Sequence, residues 1–320
     1  MTQIRAGFAQ IAPAWLDGAA TLEKVSDHVS QAADQSIQLL AFGEALVPGY
    51  PFWPELTGGA VFDSERQKEM FALYAREAVD ISGGDLDQLR QICKQRNIAV
   101  YLGTIERAAD RGGHSLYASL VYIDPHGDIG SVHRKLMPTY EERLTWSPGD
   151  GHGLRTHPLH GFTVGGLNCW ENWMPLPRAS LYAQGENLHV AAWPGSKRNT
   201  EDITRFIARE SRSFVISASG LMNADWITDE VPGAREIRTA AHAGGRSWLA
   251  GGGSCIAGPD GQWIIEPQNE VETIMYAELD LEFVYRERQN FDPVGHYSRP
   301  DVTHLKVDRR RQSTASFRDD

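Results

Sequence analysis

An α/β fold with mixed sheets is what the sequence predicts, and three observations carry that prediction. Apolar runs of strand length alternate with segments of helical spacing along most of the chain. Hairpin signals interrupt the alternation, so some strand pairs are antiparallel while others are joined by helices and run parallel. No linker rich in Pro, Gly or Ser divides the 320 residues, which suffice to bury one large core.

In order, residues 4–11 alternate apolar and polar side chains and read as the first strand. Helical spacing follows over 16–38, then a short apolar run over 37–42 that ends at Glu44. Residues 64–79 and 85–96 read as helices, the second closed by Asn97 before a strand over 98–103. A strand over 116–123 leads into Asp124-Pro125-His126-Gly127-Asp128, a hairpin turn. The strand 162–167 ends at Cys169 and precedes a helix over 175–184, a strand over 188–193, a helix over 201–212 and a strand over 214–218. Residues 247–266 read as a hairpin turning at Gly258-Pro259-Asp260-Gly261, before a strand over 273–279 and a short helix over 282–288. From Phe291 the chain turns polar and loses periodicity. The organisation expected is a body over residues 1–282 and a C-terminal extension over 283–320, partly disordered or lying at an oligomer interface.

Composition narrows the partners. The formal net charge of -11 argues against a polyanion such as nucleic acid. No apolar run approaches the roughly 18 residues a membrane span needs. The first residues pass almost directly into a strand and lack the pattern of a secretory signal, so a cytoplasmic protein is expected. Three cysteines fit reduced thiols better than a disulfide framework. Cys93 lies on the apolar stripe of a helix and Cys255 in a glycine-rich strand, and both read as small buried hydrophobes. The basic run Arg309-Arg310-Arg311 reads as a solvated part of the tail.

Cys169 differs from the other two cysteines. It stands where a strand gives way to a polar turn and a helix, a recurrent seat for nucleophiles because backbone N–H groups of the turn point at whatever the thiol attacks. Glu44 follows a buried strand, where loss of hydration raises a carboxyl pKa and suits a general base. Lys135, just before Leu136-Met137-Pro138, reads alone as a surface lysine or as an inward cation. Glu142 adds an acid close behind it. Trp53, Trp146, Trp173 and Trp193 lie near these residues and read either as core or as the wall of an aromatic pocket. His152, His157 and His160 are close in sequence, but their glycine-rich surroundings set no metal geometry, and Gly251-Gly252-Gly253-Ser254 opens a hairpin rather than a phosphate-binding helix.

Five segments in a fixed order give these residues a collective meaning. They are Phe42-Gly43-Glu44-Ala45 with Gly49-Tyr50-Pro51; His133-Arg134-Lys135-Leu136 with Pro138-Thr139, Glu142-Arg143 and Gly149-Asp150-Gly151; Cys169-Trp170-Glu171-Asn172 with Met174-Pro175-Leu176; His189-Val190-Ala191 with Trp193-Pro194; and Gly295-His296-Tyr297 with Arg299-Pro300-Asp301. With them the chain resembles the nitrilase branch of the carbon–nitrogen hydrolase superfamily over almost all of residues 4–300. The resemblance implies a four-layer α-β-β-α sandwich and a catalytic triad carried onto Glu44, Lys135 and Cys169, with Glu142 as the family's second glutamate. It implies hydrolysis of an organic nitrile to acid and ammonia through a thioimidate and a thioester. Trp170 and Trp193 are the expected substrate-binding residues. No cofactor or metal is implied, and the expected partners are a small nitrile and further copies of the chain, as a dimer that can extend into a spiral or filament.

Two features depart from the family pattern. Gly43 stands where proline is usual before the glutamate, which is expected to loosen that strand end, and Met137 and Tyr140 replace residues that are often polar. The alternatives are an amide hydrolase of the same superfamily, a nitrile or cyanide hydratase, or a catalytically silent assembly protein.

Overall fold

The computed structural model describes residues 2–316 and 318. The first half comprises β1 (Gln3–Gln10), α1 (Gly18–Asp34), β2 (Leu39–Phe42), α2 (Trp53–Leu56), α3 (Glu65–Glu77), α4 (Asp87–Arg96), β3 (Ala99–Arg107), β4 (Leu116–Ile123) and β5 (Ile129–Arg134). The second comprises β6 (His157–Leu159), β7 (Phe162–Asn168), α5 (Pro175–Tyr182), β8 (Leu188–Trp193), α6 (Lys197–Ser211), β9 (Phe214–Ser219), β10 (Leu221–Asn223) and α7 (Ala234–Ala243). The body closes with β11 (Trp248–Ala257), β12 (Trp263–Asn269), β13 (Thr273–Asp280) and α8 (Leu281–Arg288).

Two mixed sheets result. One runs β13-β1-β2-β3-β4-β5 and the other β10-β11-β9-β8-β7-β6, with β12 paired to β11. Strands joined by helices pair in parallel, as β1 with β2 and β7 with β8, while β3 with β4 and β4 with β5 pair antiparallel. The alternation of side chains along each strand then sorts the residues into layers. In β8, Leu188, Val190 and Ala192 join Ile4, Ala6 and Phe8 of β1 in a core between the sheets. Ala191 and Trp193 face the other way, onto Ile203, Ile207 and Ala208 of α6. On the far side Leu40, Val100 and Val121 pack against Val25 and Val29 of α1 and Leu89 and Cys93 of α4. Helices therefore cover both outer faces, giving the expected α-β-β-α sandwich.

Local signals set the ends of these elements. Asp17 accepts the Ala20 N–H and starts α1 at Gly18, two residues inside the predicted span. Asn97, with φ at +53°, closes α4 in the left-handed conformation that asparagine tolerates. β3 continues to Arg107 because β4 pairs along its whole length, Arg107 opposite Leu116. α6 begins at Lys197, four residues before the predicted start, because its polar first turn still buries Thr200, whose hydroxyl donates to the Gly253 carbonyl. α7 has no counterpart among the predicted helices, because it buries just Ala234, Ile237 and Ala241. No helix among the described residues is long and apolar enough to cross a membrane.

The C-terminal segment returns to the body. Leu281 and Val284 of α8 are buried in the core between the sheets. Further on, Arg311 departs from the solvated reading of its basic run. Its guanidinium donates to Asp150 Oδ1 at 2.9 Å and to the Val132 carbonyl at 3.0 Å, and the Gln312 N–H donates to Asp150 Oδ2 at 3.0 Å. Asp150 is buried, so its carboxylate requires such partners. Arg310, by contrast, pairs with the exposed Asp308. Replacing Arg311 with Ala is expected to lower the unfolding free energy by about 2 kcal/mol, from the Asp150 carboxylate left short of donors. Urea unfolding checks the value, and tryptic cleavage of the chain end under native conditions is expected to quicken.

Candidate active site

Glu44, Lys135 and Cys169 follow the C-terminal ends of β2, β5 and β7, the first two in one sheet and the third in the sheet facing it, and their side chains meet there. The β2 end is tied to the second sheet, since the Glu44 N–H donates to the Trp193 carbonyl at 3.0 Å. Gly43 makes that approach feasible: a Cβ there would lie 2.5 Å from the Gly220 nitrogen and 2.9 Å from the Trp193 oxygen. The strand end is thus clamped between backbones, and the loosening expected from the loss of proline is absent. Gly103 serves similarly on β3, where a Cβ would lie 2.1 Å from the Gly43 oxygen and 2.7 Å from Glu44 Cα.

Carboxylate oxygens of Glu44 and Glu142 and the sulfur of Cys169 lie within 4.8 Å of one another. The cation the two carboxylates meet is Lys135, whose Nζ is 2.7 Å from Glu142 Oε2 and 2.9 Å from Glu44 Oε1. All four side chains are buried. Glu142 is fully engaged: its Oε2 also accepts the Thr139 N–H at 2.6 Å, and its Oε1 the Tyr50 hydroxyl at 2.9 Å. Glu44 is not. Its Oε1 meets the Lys135 ammonium at 2.9 Å, and no other donor among the described residues reaches either oxygen. Glu44 also borders a narrow cavity lined by Tyr50, Phe52, Pro194 and Met222. The ring of Trp146 lies 5.4 Å from the ammonium and adds an aromatic face to its enclosure.

Cys169 has φ at +48°, a left-handed conformation that costs a residue with a side chain about 1–3 kcal/mol. The short helical turn Cys169–Trp173 turns the Trp170 N–H onto the sulfur. Glu171 holds this turn. Its Oε2 accepts the Asn168 N–H at 2.9 Å and its Oε1 the Leu136 N–H at 2.6 Å, while His133 Nε2 lies 3.0 Å from Oε2. One buried carboxylate therefore joins the residue before the thiol to the residue after the lysine.

The charges of the site shift one another. Burial pushes the Glu44 carboxyl up to about 8, against the pull of Lys135. Burial and the Glu44 charge push the Cys169 thiol well above its ordinary value, while Lys135 and the Trp170 N–H oppose them. For Lys135, burial works against the charge, but Cys169, Glu44 and Glu142 outweigh it and hold the ammonium protonated. Burial would raise Glu171 too, yet His133 and the two backbone N–H bonds bring it below the usual carboxylate range. The resting arrangement is a protonated thiol beside a carboxyl group able to take its proton and a fixed cation. A pair of this kind can generate a thiolate at the moment of attack.

Other candidates fall elsewhere. Trp170 is half-exposed beside Trp173, with ring centroids 6.3 Å apart. Trp193 is fully buried on the α6 side of Cys169, its indole N–H donating to Ser217 Oγ at 3.2 Å. Trp53 packs against Tyr74 in the core, and Met137 and Tyr140 are exposed. His157 stacks on Tyr122 and bonds Ser131, whereas His152 faces the Arg309 carbonyl. Tyr50, Glu171 and His133 escaped the sequence analysis as individual contributors. Only Glu171 left a local signal there, as the third residue after Asn168 in a capping pattern.

Comparisons with known proteins identify the family. The carbon–nitrogen hydrolase family model matches residues 5–289. A protein named nitrilase 2, from an unknown prokaryotic organism, is 35% identical over 319 residues, covering 99% of this chain and 96% of its own. The aliphatic nitrilase of Rhodococcus rhodochrous is 33% identical over 329 residues, covering 98% and 82% respectively. A mutant of the amidase from Nesterenkonia sp. AN1, with acrylamide added at its active site cysteine, shares the fold with a TM-score of 0.65 at 17% identity, over 90% of this chain and 97% of that one.

Because both Glu171 oxygens accept backbone N–H groups, glutamine is not an adequate replacement: its amide nitrogen would face a donor at one of them. Glu171→Gln is expected to destabilise the chain by about 1–3 kcal/mol, the cost of a buried donor left unpaired. Comparison of urea midpoints for the two proteins measures it.

Proposed function

The chain belongs to the carbon–nitrogen hydrolase family, and we propose that within it the protein is a nitrilase, converting an organic nitrile to its carboxylic acid and ammonia. The observation that carries this reading is the buried cluster of one thiol, one carboxyl group with free lone pairs and one ammonium ion. Two relatives matched along nearly the whole chain and named as nitrilases support nitrile over amide as the substrate.

In the reaction proposed, Glu44 removes the thiol proton as the Cys169 sulfur attacks the nitrile carbon. Charge developing on the substrate nitrogen meets Lys135 and the Trp170 N–H; a preorganised donor of this kind is worth roughly 3 kcal/mol. The nitrogen takes the proton released by the thiol, giving a thioimidate. A water adds to its carbon and passes a proton through Glu44 to the nitrogen. Ammonia then departs with a proton from Lys135, held in place by Glu142, and the proton of the new hydroxyl returns through Glu44 to restore the ammonium as the thioester forms. A second water cleaves the thioester, releasing the acid and restoring the thiol. Trp170 flanks the substrate at the exposed mouth in this reading, while Trp193, buried in the α6 layer, backs Cys169 rather than meeting the substrate. Free buried thiols suit a reducing cytoplasm. The same reading makes the protein a homo-oligomer, with exposed Leu176, Phe206 and Tyr297 as support and the extension over 283–320 at an interface between copies. Size-exclusion chromatography with light scattering tests that assembly.

Cys169→Ala is expected to abolish ammonia release from nitriles while leaving the circular dichroism spectrum unchanged. Retained turnover would end the proposal. Parallel assays of a nitrile and its amide, with acid and amide products quantified, are expected to give acid from the nitrile; faster turnover of the amide would point to an amide hydrolase.

The pH profile provides an independent check. A base works as its carboxylate, and that fraction grows as pH rises through the Glu44 value of about 8. Accordingly kcat/KM is expected to climb on the acid side toward that pH. A profile flat from about pH 6 to 9 would remove Glu44 as the base.

A further inference from the structure

Behind Cys169 lies a chain of buried polar groups that the proposed chemistry does not use. Asn172, His189 and Glu186 are each 0% exposed. Asn172 Nδ2 donates to the Cys169 carbonyl at 2.9 Å and to the Leu167 carbonyl at 3.2 Å. Its Oδ1 lies 2.8 Å from His189 Nε2, and His189 Nδ1 lies 2.9 Å from Glu186 Oε1. Arg178 donates to the Asn172 backbone carbonyl at 2.7 Å and also pairs with Glu210.

Donor and acceptor chemistry fixes the protons along this chain. Backbone carbonyls only accept, so the end of the Asn172 amide that faces two of them has to be the NH₂ group. Its oxygen then faces His189 Nε2, which has to be an N–H. A neutral imidazole protonated at Nε2 carries a lone pair at Nδ1, and a Glu186 carboxylate would press a second lone pair against it. The pair therefore retains a further proton, on Nδ1 as an ion pair or on Oε1 as a neutral acid. Arg288 donates to the Glu186 backbone carbonyl at 2.5 Å rather than to its carboxylate. Glu186 Oε2 has no hydrogen-bond partner among the described residues.

We propose that His189 and Glu186 are positioning residues for Cys169. Their shared proton keeps Nε2–H in place, Nε2–H fixes the Asn172 amide, and the amide holds the Cys169 carbonyl and so the left-handed turn that aims the Trp170 N–H at the sulfur. The inference rests on Cys169 being the nucleophile.

The test uses the full chain. In long-range ¹H–¹⁵N spectra of the wild-type protein, with His189→Phe identifying the signal, His189 is expected to keep its Nε2 proton from pH 6 to 9. Glu186→Gln supplies an N–H to Nδ1 and preserves the order of donors; its kcat and its rate of Cys169 alkylation by iodoacetamide are expected to stay within threefold of wild type. Glu186→Leu and Asn172→Asp are expected to lower both at least tenfold, with KM little changed. Glu186→Gln falling as far as Glu186→Leu would overturn the proposal, as would a wild-type His189 bare at Nε2. Where a disruptive variant does not fold, the wild-type spectrum and Glu186→Gln still decide. Alkylation needs no nitrile, so wild-type protein that turns over no nitrile overturns the proposed function and leaves this test standing.

Discussion

The burial of Lys135 constrains everything around it. An ammonium ion enclosed by protein loses several kcal/mol of hydration, and only close, well-directed opposite charge recovers it. Two carboxylates within 3 Å supply that charge, but a lone cation between two acids and a thiol still leaves the group electron-rich. Burial is the first cause that raises Glu44 and Cys169, and this excess of negative charge adds to it against the pull of Lys135. The same imbalance that holds the thiol protonated at rest makes the neighbouring carboxyl group willing to take its proton.

Rigidity of the surroundings makes this arrangement selective between its two acids. Glu142 is committed to three donors, the Lys135 ammonium, the Thr139 N–H and the Tyr50 hydroxyl, whereas Glu44 is held by its backbone and meets only the Lys135 ammonium among the described residues. Two glutamates with near-identical burial thereby acquire different capacities, one as a fixed counter-ion and one as a proton acceptor. Glu171, a third, is saturated by backbone donors and contributes only geometry.

Much of this was legible beforehand. Strand and helix periods gave the sandwich layers, because they record which face of each element is apolar, and the turn after β7 marked Cys169 as different from Cys93 and Cys255. The motifs in order brought Glu44, Lys135 and Glu142 to it. What stayed hidden depends on contacts distant in sequence. Arg311 reads as one of three solvated arginines until Asp150, 161 residues earlier, is seen beneath it. Gly43 reads as slack until the backbone of Gly220 is placed against it. His189 reads as an interruption in an apolar strand, and only Asn172 and Glu186 give it a reason. α7 has too few buried residues for its period to stand out.

The pairing of β1 with β13 joins Gln3 to Asp280 across nearly the whole chain. β1 lies between β13 and β2, and β2 leads into Glu44. On a ribosome the first strand emerges long before its antiparallel neighbour exists. For most of synthesis it presents an unpaired edge next to the strand that leads into Glu44. Completion of the sheet waits on residues 273–280, so the nascent chain is expected to need protection from edge-to-edge association until nearly all of it has been made.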